Sequence, residues 1–368
     1  MNYSAQKMRD FYAMKKNAPI VQEEFWLYTL DMWIEQGHLK DEEDANKLFG
    51  FDKPSKWSMG ELGWCESAFC PEFEEIILED RGAHELVQDK AGRGVLYFKG
   101  RRNGFMPEFI THPVTDRKTW ENNVKWRLDP LSPERYKWLP ERMADAKECE
   151  DKGFVMSQSL IGGYMYLRSL LGPEGALYLF YDDPELIHDL MKKWFELSDY
   201  IIATHQKHVV IDEIFFAEDI CYNGGPLISP DMIREFLFPY YKQLITNAKS
   251  RQLDKSRKLF IQVDTDGDCR PVIDLYTEIG MDYMSPFEVA SGCDVVEIRK
   301  KYPNLLMRGG FDKRILATTK DEIAREVHRI MPFMKECGGY IPTIDHGVPT
   351  EVSFENYLYY RTLMMDYR

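Results

Sequence analysis

Three short acidic strings each follow an apolar run, and they are where this sequence could do chemistry: Asp264-Thr265-Asp266-Gly267-Asp268, Asp345-His346-Gly347 and Glu218-Asp219. On an extended chain alternate side chains share a side, so Asp264 and Asp266 point the same way. Two carboxylates so placed can bind a hard or borderline metal, or share a proton as acid and base. The loop is not a calcium-binding EF-hand, because Cys269 stands where that loop needs Gly and Leu275 where it needs Glu. The competing reading is that these Asp residues form a turn and cap the next helix, which suits Asp268 best. His346 is of the residue type that serves near pH 7 as a neutral ligand or acid–base group. Its neighbour Asp345 is placed to orient the ring. Glu218 completes the acidic set, and Tyr222, Asn223 and Glu288 stand close to strand ends as substrate contacts. Arg308-Gly309-Gly310 could offer an anion its backbone amides, or simply make a tight turn. Phe25, Trp26, Tyr28 and Trp33 could line an apolar pocket, or form helix core. No GxSxG, P-loop or Cys–His nucleophile signature is present.

The elements that must position these residues alternate. Strand-length apolar runs cover Phe154–Gln158, Val209–Ala217, Leu259–Val263, Met281–Phe287, Leu305–Arg308 and Tyr340–Ile344. Helix starts fall between them: Asp183-Pro184 and Ser229-Pro230 pair an N-cap with proline at the first helical position, and Thr319 to Glu322 fits a capping box. After Pro184, Leu186, Leu190, Trp194, Leu197 and Ile201 share one helical face. Such alternation implies a parallel sheet. Pro19–Phe25 is a candidate seventh strand, with a poorly marked eighth unit within Phe49–Gly63. The expected fold is an α/β (β/α)8 TIM barrel, one domain over residues 1–368, in which polar residues just past a strand meet at the catalytic face. The absence of GxGxxG after a strand weakens the open-sheet alternative. Residues 72–112 read differently. Ile76–Leu78, Leu86–Val87 and Val95–Phe98 are separated by Asp80-Arg-Gly82 and Asp89-Lys-Ala-Gly92, an antiparallel β meander inserted in the N-terminal third.

Composition sets outer bounds. The formal net charge of -14 argues against nucleic acid and anionic membrane as partners. No apolar run reaches the roughly 18–20 residues that span a bilayer, and residues 1–17 lack an apolar signal core, so a cytoplasmic location is expected. The seven cysteines form no CxxC, which points to reduced thiols rather than a zinc cluster.

The strings FFAEDICYNGGPLISPDMIREFLFPYYKQL (215–244), FIQVDTDGDCRPVIDLYTEIGMD (260–282), MRGGFDKRIL (307–316) and GGYIPTIDHGVPTEVSFENY (338–357) resemble segments of the uroporphyrinogen decarboxylase superfamily. The resemblance covers residues 154–360 well and the first third loosely. It implies one of two chemistries. Cofactor-free decarboxylases of that superfamily carry an N-terminal Arg-Gln-Ala-Gly-Arg-Tyr string, where this chain has Gln22-Glu-Glu-Phe-Trp26. Cobalamin-dependent methyltransferases bind zinc through His-x-Cys after one strand and Cys after the last. At those places this chain carries Asp264-x-Asp266 and His346. The resemblance thus implies a methyltransferase with an oxygen-rich site for zinc or another divalent metal, held by Asp264, Asp266, His346 and Glu218 and suited to an ether oxygen. Its expected catalytic residues are His346, Asp264 and Glu218, and its expected substrate contacts Trp26, Tyr222, Asn223, Glu288 and Arg308. Its expected partners are a small methylated substrate, such as an aryl methyl ether, and a corrinoid protein. That protein would supply the cobalamin, because this chain lacks an Asp-x-His-x-x-Gly motif. The assembly is open to a homodimer. A decarboxylase of an acidic, porphyrinogen-like substrate is the alternative.

Overall fold

The computed structural model describes residues 3–62, 68–102 and 107–368. Its strands, in chain order, are β1 (Lys56–Leu62), β2 (Ile76–Arg81), β3 (His84–Gln88), β4 (Gly94–Phe98), β5 (Glu108–Thr111), β6 (Val155–Ile161), β7 (Glu213–Ala217), β8 (Cys221–Tyr222), β9 (Gly225–Pro226), β10 (Phe260–Asp264), β11 (Tyr283–Ser285), β12 (Leu306–Arg308) and β13 (Tyr340–Ile341). Seven of them form one curled parallel sheet in the order β1-β6-β7-β10-β11-β12-β13. This is the expected α/β barrel, with helices on the outside, and β1 is the unit foreseen within residues 49–63. β2 to β5 form a separate antiparallel sheet in sequential order, the expected insertion. Its turns use Gly82 and Gly92 in left-handed conformations that residues with a side chain rarely adopt.

The eighth stave is the segment around Pro19–Phe25, and it does not become a ladder strand. Val348 N–H donates to Trp26 O (2.7 Å) and Tyr28 N–H to Val348 O (3.2 Å) on one side, while Asp52 N–H donates to Gln22 O (2.7 Å) on the other. Side chains replace the missing rungs. The Asp52 carboxylate accepts from Gln22 N–H (2.8 Å) and that of Glu24 from Ile344 N–H (2.9 Å). β7 likewise begins at Glu213 rather than Val209. The amides ahead of it go to side chains: Val210 N–H to Glu150 and Ile211 N–H to Gln252.

Alternation along the strands sorts the wall. Ile214, Phe216, Ile261, Val263, Met284 and Met307 face the helices and are essentially fully buried. The register pairs Glu213 with Phe260, Asp264 with Ala217 and Ser285, and Arg308 with Ile341. These residues face the lumen. The helix Tyr3–Tyr12 closes the N-terminal end: Met8, Phe11 and Tyr12 pack with Val155, Tyr283, Leu306 and Ile341, and Tyr12 stacks on Phe260 at 4.4 Å between ring centres. The Pro184–His205 helix buries Leu186, Leu190, Trp194, Leu197 and Ile201, the face read from its spacing. Asp183, Ser229 and Thr319 cap their helices as expected.

Candidate active site

At the C-terminal strand ends, Asp264 closes β10 and points into the barrel mouth. Burial, opposed by a hydrogen bond from Ser285 and reinforced by Asp266, pushes its carboxyl up to about 7. The Ser285 hydroxyl donates to it, and Gln262 Nε2 donates to that hydroxyl (2.9 Å). Asp266 stands two residues on, on the same side. Burial also raises it, to about 6, while His346 pulls it down. Thr265, between them, points the other way and accepts from Ile220 and Cys221 N–H (3.0 Å each).

His346 Nε2 lies 3.8 Å from Asp266 Oδ2. Trp26 and Tyr28 wall the imidazole at 5.3 and 6.5 Å between ring centres. Gly347 is required by that wall, since a Cβ there would stand 2.2 Å from the Tyr28 ring. Asp345 does not orient His346, as the sequence suggested. Its carboxylate turns the other way, accepting from Val289 N–H (3.0 Å) and facing Lys313 Nζ at 3.9 Å. Glu288 accepts from Gly267 N–H (2.9 Å) and faces Lys313 at 3.9 Å, so it fixes the turn that carries Asp266. Asp268 is the helix-start residue anticipated for it, paired with Arg270.

Glu218 is corrected outright. Ala217 faces the lumen, so the next side chain faces the helices, and Glu218 is fully buried there. It accepts from the Tyr241 hydroxyl and from Tyr164 N–H (3.0 Å), and burial raises its carboxyl. It starts the Gly163–Leu171 helix and does not reach the mouth. The residue in the mouth is Asp219, which takes a left-handed turn and pairs with Arg168. Strand parity counted from the buried Phe216 would have found it. The four-residue metal set therefore does not assemble: among the described residues no three His, Cys, Asp or Glu side chains come together to hold a metal ion.

Arg308 is also placed differently from the anion-binding expectation. Its Nε lies 2.9 Å from Glu23 Oε1, its guanidinium lies 4.1 Å from the centre of the Phe25 ring, and Gly309 N–H is taken by Ile341 O. Gly309 is a close-approach glycine, with a Cβ position 1.9 Å from Pro286 O. Trp33 is plain core, with no exposure. Tyr222, 55% exposed, and Asn223 form the tip of the β8–β9 hairpin, and Gly267 fits under the Tyr222 backbone. Beside the mouth, between the first stave and β1, a cavity of about 410 Å³ is lined by Glu23, Phe25, Trp26, Lys56, Tyr283 and Arg308. Asp264, Asp266 and His346 stand outside it, while Trp26 and Arg308 border both.

The model of the uroporphyrinogen decarboxylase (URO-D) family matches residues 148–364. A uroporphyrinogen decarboxylase of Legionella pneumophila (strain Corby) is 26% identical over 278 residues, covering 73% of this chain and 72% of that protein. One from Chlorobium limicola is 23% identical over 186 residues. There the match spans about half of each chain (49% of both). Among solved structures, a methyltransferase from Methanosarcina mazei superposes with a TM-score of 0.62 at 13% identity, over 100% of this chain and 99% of that one. That likeness establishes the barrel fold. The match of well over half of this chain to one family model, on the barrel and strand ends just described, places it: the chain belongs to the uroporphyrinogen decarboxylase family.

Proposed function

We propose that this chain is the methyltransferase component of a corrinoid-dependent system, removing the methyl group of a small neutral substrate such as an aryl methyl ether. The observation that carries this reading is the pair Asp264 and Asp266 at the barrel mouth, held by burial at about 7 and about 6, beside His346 and an aromatic wall. A carboxyl that keeps its proton near neutrality is a general acid. Cleaving an aryl–O–CH3 bond leaves the electron pair on oxygen, which needs that proton to depart as a phenol. The methyl acceptor would be the cobalt(I) corrinoid of a partner protein. Asp264 supplies the proton, Asp266 and His346 replace it from solvent, and the aryl ring rests against Trp26 and Phe25. The donor set does not close around a metal ion, so no step is assigned to one.

The decarboxylase reading is favoured by the names of the relatives. The mouth's charges oppose it for a polycarboxylate. Asp219, Asp266 and Glu288 crowd there beside the proton-holding Asp264, and the nearby cations Arg168, Lys313 and Arg308 each already face a carboxylate. The test is an anaerobic assay with reduced free cobalamin against a panel of aryl methyl ethers, run beside a porphyrinogen decarboxylation assay. Methylated cobalamin and free phenol are the expected products. Loss of carboxyl groups from the porphyrinogen, with no methyl transfer to any ether, would overturn the proposal.

A further inference from the structure

A second cavity, of about 260 Å³, lies on the outer wall of the barrel, away from the mouth, between β1 and the helices Leu139–Asp151 and Pro184–His205. Its walls are mostly apolar: Met59, Leu62, Phe69, Tyr136, Trp138 and Ile201. Three polar side chains join them: Arg135, Arg142 and His205.

Arg142 is the unusual one. Its guanidinium lies flat against Gly60, where a Cβ would stand 2.5 Å from Nη2. Gly60 also sits at φ +102°, in the left-handed half of the map, so its lack of a side chain both permits the turn and admits the arginine. Arg142 Nε is buried without a hydrogen-bond partner, and among the described residues no carboxylate pairs with the group. A partly buried cation left uncompensated is costly. The neighbours do not relieve it. The Arg135 guanidinium is spent on the carbonyls of Arg127 and Asp129, and it adds positive charge. His205 stays neutral, because burial and the charges of Arg142 and His208 hold it down at about 4. Its Nδ1 lies 2.7 Å from Gln158 Oε1, and Gln158 Nε2 donates to Gly60 O (2.8 Å), which fixes the ring from behind.

We propose that this cavity is a binding site for a small aromatic carboxylate, its carboxylate on the Arg142 guanidinium and its ring against Phe69, Tyr136 and Trp138. The planar guanidinium fork matches a carboxylate with two parallel N–H···O bonds. The Arg142 cation, which faces no carboxylate among the described residues, matches one negative charge, and the apolar walls favour a ring over a hydrated inorganic anion. The site stands on the opposite side of the sheet from Asp264 and His346, and it does not depend on the reaction performed at the mouth.

The test is calorimetric titration of the intact protein with benzoate, and with benzamide, acetate and inorganic phosphate as single-feature controls. Benzoate is expected to bind saturably, and each control at least tenfold more weakly. Arg142→Gln should weaken benzoate at least tenfold without lowering the melting temperature. Asp264→Asn should leave its affinity unaltered, which separates this site from the mouth. Should Arg142→Gln fail to fold, Trp138→Ala serves instead, because that side chain is 66% exposed and carries no core packing; it too should weaken benzoate. Absence of saturable benzoate binding, equal binding of phosphate, or wild-type affinity in the folded variants would overturn the proposal.

Discussion

Asp264 and Glu218 are both acidic residues at barrel strand ends, yet one residue of parity separates their roles. Asp264 continues the lumen-facing series Phe260, Gln262 of β10. Glu218 comes one step after the lumen-facing Ala217 and is swept outward. The raised carboxyl of Asp264 has two readable consequences. Between about pH 4 and pH 7 the folded chain holds a proton that the unfolded chain has released, because burial lifts the group from 3.8 to about 7. Stability from this group therefore declines as pH rises through that window and is flat above it. Asp264→Asn has no proton to lose, so its melting temperature should gain on the parent between pH 5 and pH 8; a pH-independent gap would show an ordinary carboxylate. Turnover, if Asp264 is the acid, should fall as pH climbs past about 7, and Asp264→Asn should lose roughly 10²–10⁴-fold in rate. His346→Ala should lower turnover per folded molecule while leaving the melting temperature nearly unchanged, because the ring is partly exposed and sits 3.8 Å from Asp266 without a tight hydrogen bond. Near-normal turnover would remove it from the site. Zinc is not expected to raise the melting temperature at micromolar excess, since Glu218 is locked to Tyr241 and cannot join a donor set; a rise of several degrees would show that the mouth rearranges around the ion.

The start of the Gly163–Leu171 helix shows what Glu218 does instead. Its carboxylate takes Tyr164 N–H and the Tyr241 hydroxyl, and that hydroxyl in turn takes Gly163 N–H (2.6 Å). Glu218→Ala should strand these donors in the core and cost about 3 kcal/mol in a urea titration, with turnover per folded molecule retained. A rate loss without a stability loss would return Glu218 to the mouth. The first stave depends on side chains in the same way. Asp52 accepts from Gln22 N–H and from the buried Lys7 (2.9 Å). Asp52→Ala would remove the carboxylate that faces that buried ammonium, at a cost of about 3–5 kcal/mol. Elements held by backbone ladders were legible: apolar runs marked β6, β10, β11 and β12, and Gly-containing turns marked the β2–β5 meander. The first stave was only half legible, because its rungs come from Asp52 and Glu24, whose partners lie far off in sequence. The mouth was legible to the extent that strand ends could be located. Which side each residue faced required the parity of β7 and the observed partners of Asp345 and Arg308, neither of which spacing alone supplies.

At the scale of the whole molecule, the insertion leaves apolar side chains in the open, with Ile77 60% and Leu78 49% exposed, while the barrel keeps its polar groups inside. The barrel itself is joined where its two ends meet. Asn17 N–H donates to Lys335 O (2.8 Å), Ile20 N–H to Tyr367 O (3.2 Å) and Arg361 Nη2 to Gln22 Oε1 (2.8 Å), and Val348 brackets Trp26 and Tyr28. Every one of these bonds spans more than three hundred residues of chain. Contacts so distant in sequence form late, because the loop they close must first be drawn in against its entropy. The middle of the sheet, β6 through β12, can zip from neighbour to neighbour before that. During refolding, pulsed deuterium labelling should find the amides of Phe216 and Val263 shielded early, and those of Asn17, Tyr28 and Val348 shielded last. The wall of the mouth that carries Trp26 and Tyr28 is then the final part of the molecule to arrive, so a chain caught before that moment would hold Asp264 in place with no aromatic surface for a substrate to rest on.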